Sequence, residues 1–309
     1  MTAEIAAGLA GSIAMLLLST VAFVDAVEVL SSRLKLTRFA TGALIAAVLT
    51  ALPETIIAII SPFHEKASAS LVGMGSVLAA PSITVLVGAP LAALFWRGQT
   101  IHNGIAKNYL FFAVFITFAV VLSQLSLGSL KFATATVFIL LYLYLARSIY
   151  LETGELMDVG RASFLERLLR MESKGVVLLQ TAASTAGLLV GADLFLDVMS
   201  DSVNPFALTL FFSPLATCLE EVLVAFYWVV KNKTDIALSL LSGENMIQST
   251  FVAGVGMAFT EWRLPSSSVT IAVIYALAAS FMAVLALKRK FRLAIAVAFL
   301  YPLYLFAAA

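Results

Sequence analysis

Four carboxylates fall in the middle of long apolar runs: Glu54, Glu220, Glu221 and Glu244. A carboxylate at the centre of a bilayer is costly, and by default it marks a pathway or a site that faces the protein interior. Around these four stand small hydroxyl and amide residues, namely Thr50, Ser76, Thr217, Asn245, Gln248, Ser249 and Thr250. The set is rich in oxygen, and no His or Cys cluster accompanies it. Hard cations such as calcium prefer carboxylates, carbonyls and amides, whereas zinc and copper prefer nitrogen and sulfur. Pro53, in the stretch "TALPETIIAI" (Thr50–Ile59), has no N–H and frees a backbone carbonyl one turn earlier. Gly73, Gly75 and Gly243 allow close helix approach or local unwinding. Freed carbonyls at a broken helix are themselves cation ligands. These residues alone point to a buried site for an inorganic cation.

The elements that must position them are membrane helices. The chain has 309 residues, 61% hydrophobic and 12% charged, with a mean hydropathy of +1.03. A soluble domain is typically about 45–50% apolar and about 25% charged. The fold class expected is therefore an all-α integral membrane protein. A net charge of +1 gives no electrostatic case for nucleic acid, and the single cysteine, Cys218, excludes an internal disulfide framework and a Cys-rich metal centre. The N-terminus has no basic n-region and reads as the first span rather than a cleaved signal. Spans are expected near 5–31, 39–62, 68–95, 106–125 and 129–149, then 175–200, 205–231, 234–260, 266–287 and 293–308. Of the 19 Lys and Arg residues, all but Lys66, Lys131 and Arg263 fall in or beside the odd-numbered loops. The positive-inside rule then puts both termini outside and the odd loops in the cytoplasm of a multi-pass cell-membrane protein.

Ten spans divided by a polar connector at 150–174 give two halves, 1–149 and 175–309, of five spans each. Five is odd, so a repeat would enter the membrane from opposite sides in the two halves, which is the inverted repeat of many secondary transporters. "FVDAVEV" (Phe23–Val29) resembles "FLDVMSD" (Phe195–Asp201), and "LTALPET" (Leu49–Thr55) resembles "ATCLEEV" (Ala216–Val222). "MGSVLAA" (Met74–Ala80) falls opposite "SGENMIQ" (Ser242–Gln248), so Glu54 pairs in register with Glu221 and Gly75 with Gly243. A single intramembrane Glu can be a protonated hydrogen-bonder; four at repeat-related places argue for a shared site. Glu220 and Glu221 point about 100° apart on a helix, and Glu221, which holds the register, is the one expected to reach that site. Asp193, Asp197 and Asp201 share one helix face. With Asp25 and Glu28 they are expected either to line an access path or to pair with an inner helix; for Asp201, solvation at the membrane boundary is the alternative.

In these paired segments the chain resembles the sodium/calcium exchanger superfamily of cation antiporters, particularly its short prokaryotic members. The resemblance covers spans one to three and six to eight. "GADLF" (Gly191–Phe195), the "LPE" of Leu52–Glu54 and the "DIAL" of Asp235–Leu238 are close to family form. It implies ten transmembrane helices in two inverted five-helix repeats, with ion sites at the midplane between spans two, three, seven and eight. It places Thr50, Glu54, Thr217, Glu221, Ser76 and Asn245 on the family's site positions, while Gln248 keeps an amide and Glu244 adds a carboxylate at a Ser position. Ala51 and Cys218 stand where the family has Ser, Glu220 replaces a Pro, and Ala80 replaces an amide or acid. The implied metal set is Glu54, Glu221, Glu244, Thr50, Thr217, Ser76, Asn245 and Gln248, weighted toward the second repeat, with the lost hydroxyls counting against sodium.

The function expected is secondary-active antiport, calcium against sodium or protons, by alternating access in which spans one and six move. The competing readings are a passive cation channel, a transport-inactive homologue and, faintly, an intramembrane prenyltransferase-like enzyme suggested by the Asp row. The partners implied are the lipid bilayer and inorganic cations. No cofactor is implied and no oligomeric state is specified.

Overall fold

The computed structural model describes residues 3–32, 37–66, 68–98, 101–125, 127–153, 162–201, 204–230 and 232–309, and the side chains of Glu28 and Glu220 lie outside the described residues. Every helix, strand or turn of helix that forms a regular run there is helical. Apolar runs leave the backbone no outside partner in a bilayer, so each must bond within itself. The first segment is the continuous α1 (Ala3–Ser32). The second is pieced together from α2 (Arg38–Ala40), a π-helical stretch (Thr41–Ala46), α3 (Ala47–Thr50), α4 (Leu52–Ile60) and a 3-10 turn (Ser61–Phe63). α5 (Ala69–Ile83) runs through the π-helical Thr84–Gly88 into α6 (Ala89–Leu94), and α7 (Gly104–Ser123) and α8 (Leu130–Tyr150) are unbroken.

After the short α9 (Phe164–Leu169) comes the continuous α10 (Lys174–Ser200). α11 (Pro205–Ser213) passes through the π-helical Pro214–Cys218 into α12 (Leu219–Val230). α13 (Thr234–Ile247) passes through the π-helical Gln248–Val252 into α14 (Ala253–Phe259). α15 (Ser267–Leu287) is unbroken, and the chain closes with a 3-10 turn (Phe291–Ala294), α16 (Ile295–Ala298) and α17 (Tyr301–Ala308).

Among the described residues, seven helices are long and apolar enough to cross a membrane: Ala6–Phe23, Ala69–Leu94, Gly104–Ser123, Leu130–Tyr150, Lys174–Ser200, Ser267–Leu287 and Phe291–Ala308. Of the other expected runs, the one at 39–62 breaks at Ala51, while 205–230 and 234–259 continue through π-helical stretches as Ala69–Leu94 does. These three runs are also the ones that carry the midmembrane carboxylates.

Lipid is as apolar as the helices, so helices associate through close packing of small residues and through hydrogen bonds. α1 and α10 pack along their length, and a Cβ at Gly187 would sit 2.2 Å from Ser19 Oγ. Their shared core of Leu9, Leu16, Phe23, Leu188, Phe195, Leu196 and Met199 also takes in Ile57 of α4 and Ala69 and Val72 of α5, and is separate from the main one. The main core surrounds α5 and α13. In α13 every residue but Asp235 is buried. Tyr275 and Tyr304 stack at 5.7 Å, and their hydroxyls donate to the Leu78 carbonyl (3.0 Å) and the Leu210 carbonyl (2.8 Å), which ties α15 and α17 to the helices beneath. The connector carries α9, whose capping box joins Ser163 and Glu166.

A candidate cation site

The second segment breaks at Ala51, where φ is −76° and ψ is 0°. Pro53 sits in the first turn of α4, the part of a helix that tolerates a missing N–H. The break therefore falls just before the proline rather than at it. On either side of it the Thr55 hydroxyl donates to the Ala51 carbonyl at 2.7 Å, and the Thr50 oxygen lies 3.0 Å from the Ala46 carbonyl with its one proton turned to Glu244. Glu54 emerges one turn below Thr50, fully buried.

Two clusters meet at this break. In the first, Cys218 Sγ donates to Glu54 Oε1 at 3.0 Å. Thr217 Oγ1 lies 3.3 Å from the same sulfur and donates to the Ser213 carbonyl at 2.9 Å; Ser213 Oγ in turn donates to Ser76 Oγ at 3.3 Å. Glu54, Cys218 and Glu221 are all buried, and one ligand atom from each lies within 4.8 Å of the others. Glu54 Oε2 accepts no hydrogen bond among the described residues. In the second cluster, Glu244 accepts from Thr50 Oγ1 and from Gln248 Nε2, each at 2.8 Å. Asn245 accepts from Thr84 Oγ1 at 3.0 Å and donates to the Leu241 carbonyl at 2.6 Å. Ser249 and Thr250 bond back to the Met246 carbonyl of their own helix. Thr50, which bonds Glu244 and stands one turn before Glu54, joins the second cluster to the first at the break.

Two close approaches hold this arrangement. A Cβ at Gly243 would lie 2.4 Å from the Ala43 carbonyl oxygen and 2.5 Å from Ala43 Cα, so only glycine lets α13 touch the π-helical stretch that leads to Thr50. A Cβ at Gly75 would lie 3.0 Å from Thr209 Cβ, and this contact of α5 with α11 sets Ser76 against Ser213. Chemically, the result is a buried cluster of acidic oxygens, one thiol and small hydroxyls. A buried carboxylate without a basic partner must be balanced by a proton or by a bound cation.

The profile of the sodium/calcium exchanger protein family matches residues 4–150 and 176–309. The chain belongs to that family. Solved structures of similar fold include the sodium-calcium exchanger NCX_Mj soaked with 10 mM Na+ and zero Ca2+. It is 20% identical, covers 96% of this chain and 97% of its own, and has a TM-score of 0.64. The same protein soaked with 2.5 mM Na+ and 0.1 mM Sr2+ is 21% identical over 97% of this chain and 98% of that one, at a TM-score of 0.65. The H+/Ca2+ exchanger CAX is 16% identical over 98% of this chain and 88% of that one, at a TM-score of 0.72. No curated protein matches in sequence. At these identities the structural likeness shows the shared fold.

As a sodium/calcium exchanger family member the protein is a multi-pass membrane ion antiporter, not an enzyme. The prenyltransferase-like reading of the Asp row accordingly falls. Lys66 bonds both Asp197 and, at 2.8 Å, Asp201, while Asp193 is exposed. Asp25 accepts from Arg167 Nη2 and from Gln180 Nε2, each at 3.0 Å, and from the Phe164 N–H. These acids thus serve the two ends of α10 and its connections, not an inner helix. Glu28 and Glu220 have side chains outside the described residues.

The structure brings together Thr50, Glu54, Thr217, Glu221, Ser76, Glu244 and Gln248, and turns the Asn245 side chain to Thr84. Sequence reasoning kept sulfur out of the site, and Cys218 corrects that. It also missed Ser213 and Thr84. Ser213 stands one turn before Thr217 on the same face, a spacing that could have found it; Thr84 stands one turn beyond Ala80, the position read as having lost its ligand.

Proposed function

We propose that the protein is a secondary-active antiporter that exchanges calcium for protons or sodium by alternating access. Its ten spans would form two inverted five-helix repeats, 1–149 and 175–309, around the connector 150–174, with both termini outside. The observation that carries this reading is the meeting of Glu54 and Glu221, with Cys218, inside 4.8 Å at the breaks before α4 and α12. The two carboxylates come from segments that the sequence register pairs, and among the described residues no basic side chain is bonded to Glu54, so an ion or protons would neutralise the site in turn. The metal set is Glu54, Glu221, Glu244, Thr50, Thr217, Ser76, Asn245 and Gln248. Protons are favoured over sodium as the counter-ion, because Ala51 offers no side-chain oxygen and Cys218 offers sulfur where the family resemblance expects hydroxyls. α1 and α10, which pack along their length, would move as a pair against the rest.

The test is calcium uptake into proteoliposomes with wild-type and Glu54→Gln protein. Uptake is expected to be lost in Glu54→Gln, which keeps the shape and removes the charge. Undiminished uptake by that variant would remove Glu54 from the site and the reading with it.

A further inference from the structure

We propose that the Glu54, Cys218 and Glu221 cluster also takes thiophilic divalent cations, zinc foremost and cadmium as its probe, with the Cys218 sulfur as a ligand. The proposal rests on the reading of this cluster as the transported cation's site.

Two carboxylates and a thiol are a donor set for a borderline metal. Calcium takes about 6–8 oxygens at about 2.3–2.6 Å, and sulfur is not among its usual ligands. Zinc takes four ligands, sulfur at about 2.3 Å and carboxylate oxygen at about 2.0–2.2 Å. Around a tetrahedral zinc, neighbouring ligand atoms of those kinds stand roughly 3.4–3.6 Å apart. The cluster brackets that spacing: Cys218 Sγ is 3.0 Å from Glu54 Oε1, and all three donors fit within 4.8 Å. Shifts of a few tenths of an ångström to about one would close them on a metal.

Two further observations point the cluster at a ligand. Glu54 is fully buried, yet its Oε2 accepts no hydrogen bond among the described residues. The nearby Thr217 hydroxyl has its one proton committed to the Ser213 carbonyl at 2.9 Å. A buried carboxylate oxygen left without a donor is expensive unless something else occupies that place. Three protein donors also leave a fourth zinc position open, which suits a site that must release its ion. The plain alternative is that Cys218 is a small apolar filler whose thiol happens to bond Glu54. A thiol is a weak donor, and serine in the same place would serve that acceptor better. Sulfur adds something only when a metal is to be bound. On binding, the thiol gives its S–H proton to the water on whichever side the site is open, and the metal takes its place at sulfur.

Cys218 is the chain's only cysteine, so any thiolate-to-metal signal from the purified protein reports it. The experiment is a cadmium titration of the full-length protein in detergent, followed by thiolate-to-cadmium charge-transfer absorption, with Cys218→Ser, Cys218→Ala, Glu54→Gln and Glu221→Gln alongside. Calcium exchange of each protein in proteoliposomes is the parallel readout. Saturable absorption in the wild type is expected. Both Cys218 variants should lack it, and each Gln variant should need at least about tenfold more cadmium, a loss of about 1.4 kcal/mol. Absence of the band, or a band that both Gln variants leave unchanged, would overturn the proposal. If calcium exchange survives that failure, the antiporter reading stands without the thiol. If the band is present and calcium exchange is not, the metal site stands and calcium as the cargo falls.

Discussion

Thr50 Oγ1 bonds Glu244 Oε2 at 2.8 Å, joining residues 194 positions apart at the break that also presents Glu54. The bond ties the broken second segment to α13 and supplies one of the two side-chain donors to the Glu244 carboxylate among the described residues, the other being Gln248.

Replacing Thr50 with Val keeps the shape and removes that donor. A buried carboxylate that loses a partner costs about 1–3 kcal/mol. The variant is expected to unfold at a lower temperature in detergent, and Glu244→Gln in the same background should recover part of the loss. A double-mutant cycle with no coupling between the two positions would contradict the bond's role.

The contact of Gly243 with Ala43 should be equally sharp in its response. Gly243→Ala sets a Cβ against backbone atoms at 2.4–2.7 Å, so the helices must part. Overpacking of this kind costs about 1–3 kcal/mol. It should also move Glu244 away from Thr50 and depress transport. Gly11→Ala, where the added Cβ meets nothing within 4 Å, is the matched control and should leave both thermal stability and transport unchanged.

These residues show what could be seen in the chain beforehand. Glu54 and Pro53 were visible because a charge and a helix breaker in an apolar run have few innocent explanations, and Glu221 followed from register. Cys218 was not visible, since a cysteine among apolar residues reads as a small hydrophobe. The π-helical stretches at Thr41–Ala46, Thr84–Gly88, Pro214–Cys218 and Gln248–Val252 were hidden, because such a stretch has the same apolar composition as the helix around it. The partners of Asp25 and Asp197 were hidden for another reason. Arg167 and Lys66 lie 142 and 131 positions away, and only the fold puts them together.

At one end of α10, Lys66 titrates with a clear sign. Burial lowers the pKa of its ammonium, and the bonds to Asp197 and Asp201 more than offset this, leaving it above the ordinary 10.5. A raised folded-state value means the contribution is fully present below about 10.5 and disappears as the pH climbs through the folded value. The pairs are exposed, so the effect should be small. Lys66→Met is expected to match the wild type more closely in thermal stability above that pH than at pH 7. An undiminished gap in alkali would contradict the assignment.

The central claim is exchange, and gradient-driven calcium flux tests it most directly. Purified protein in sealed liposomes should accumulate calcium against its gradient when an outward proton or sodium gradient is imposed, and stop when the gradient is collapsed. Glu54→Gln and Glu221→Gln should each abolish this, and a response to the proton gradient alone would name the counter-ion. Calcium that merely equilibrates, at a rate indifferent to either gradient, would contradict the account and identify a passive conduit instead.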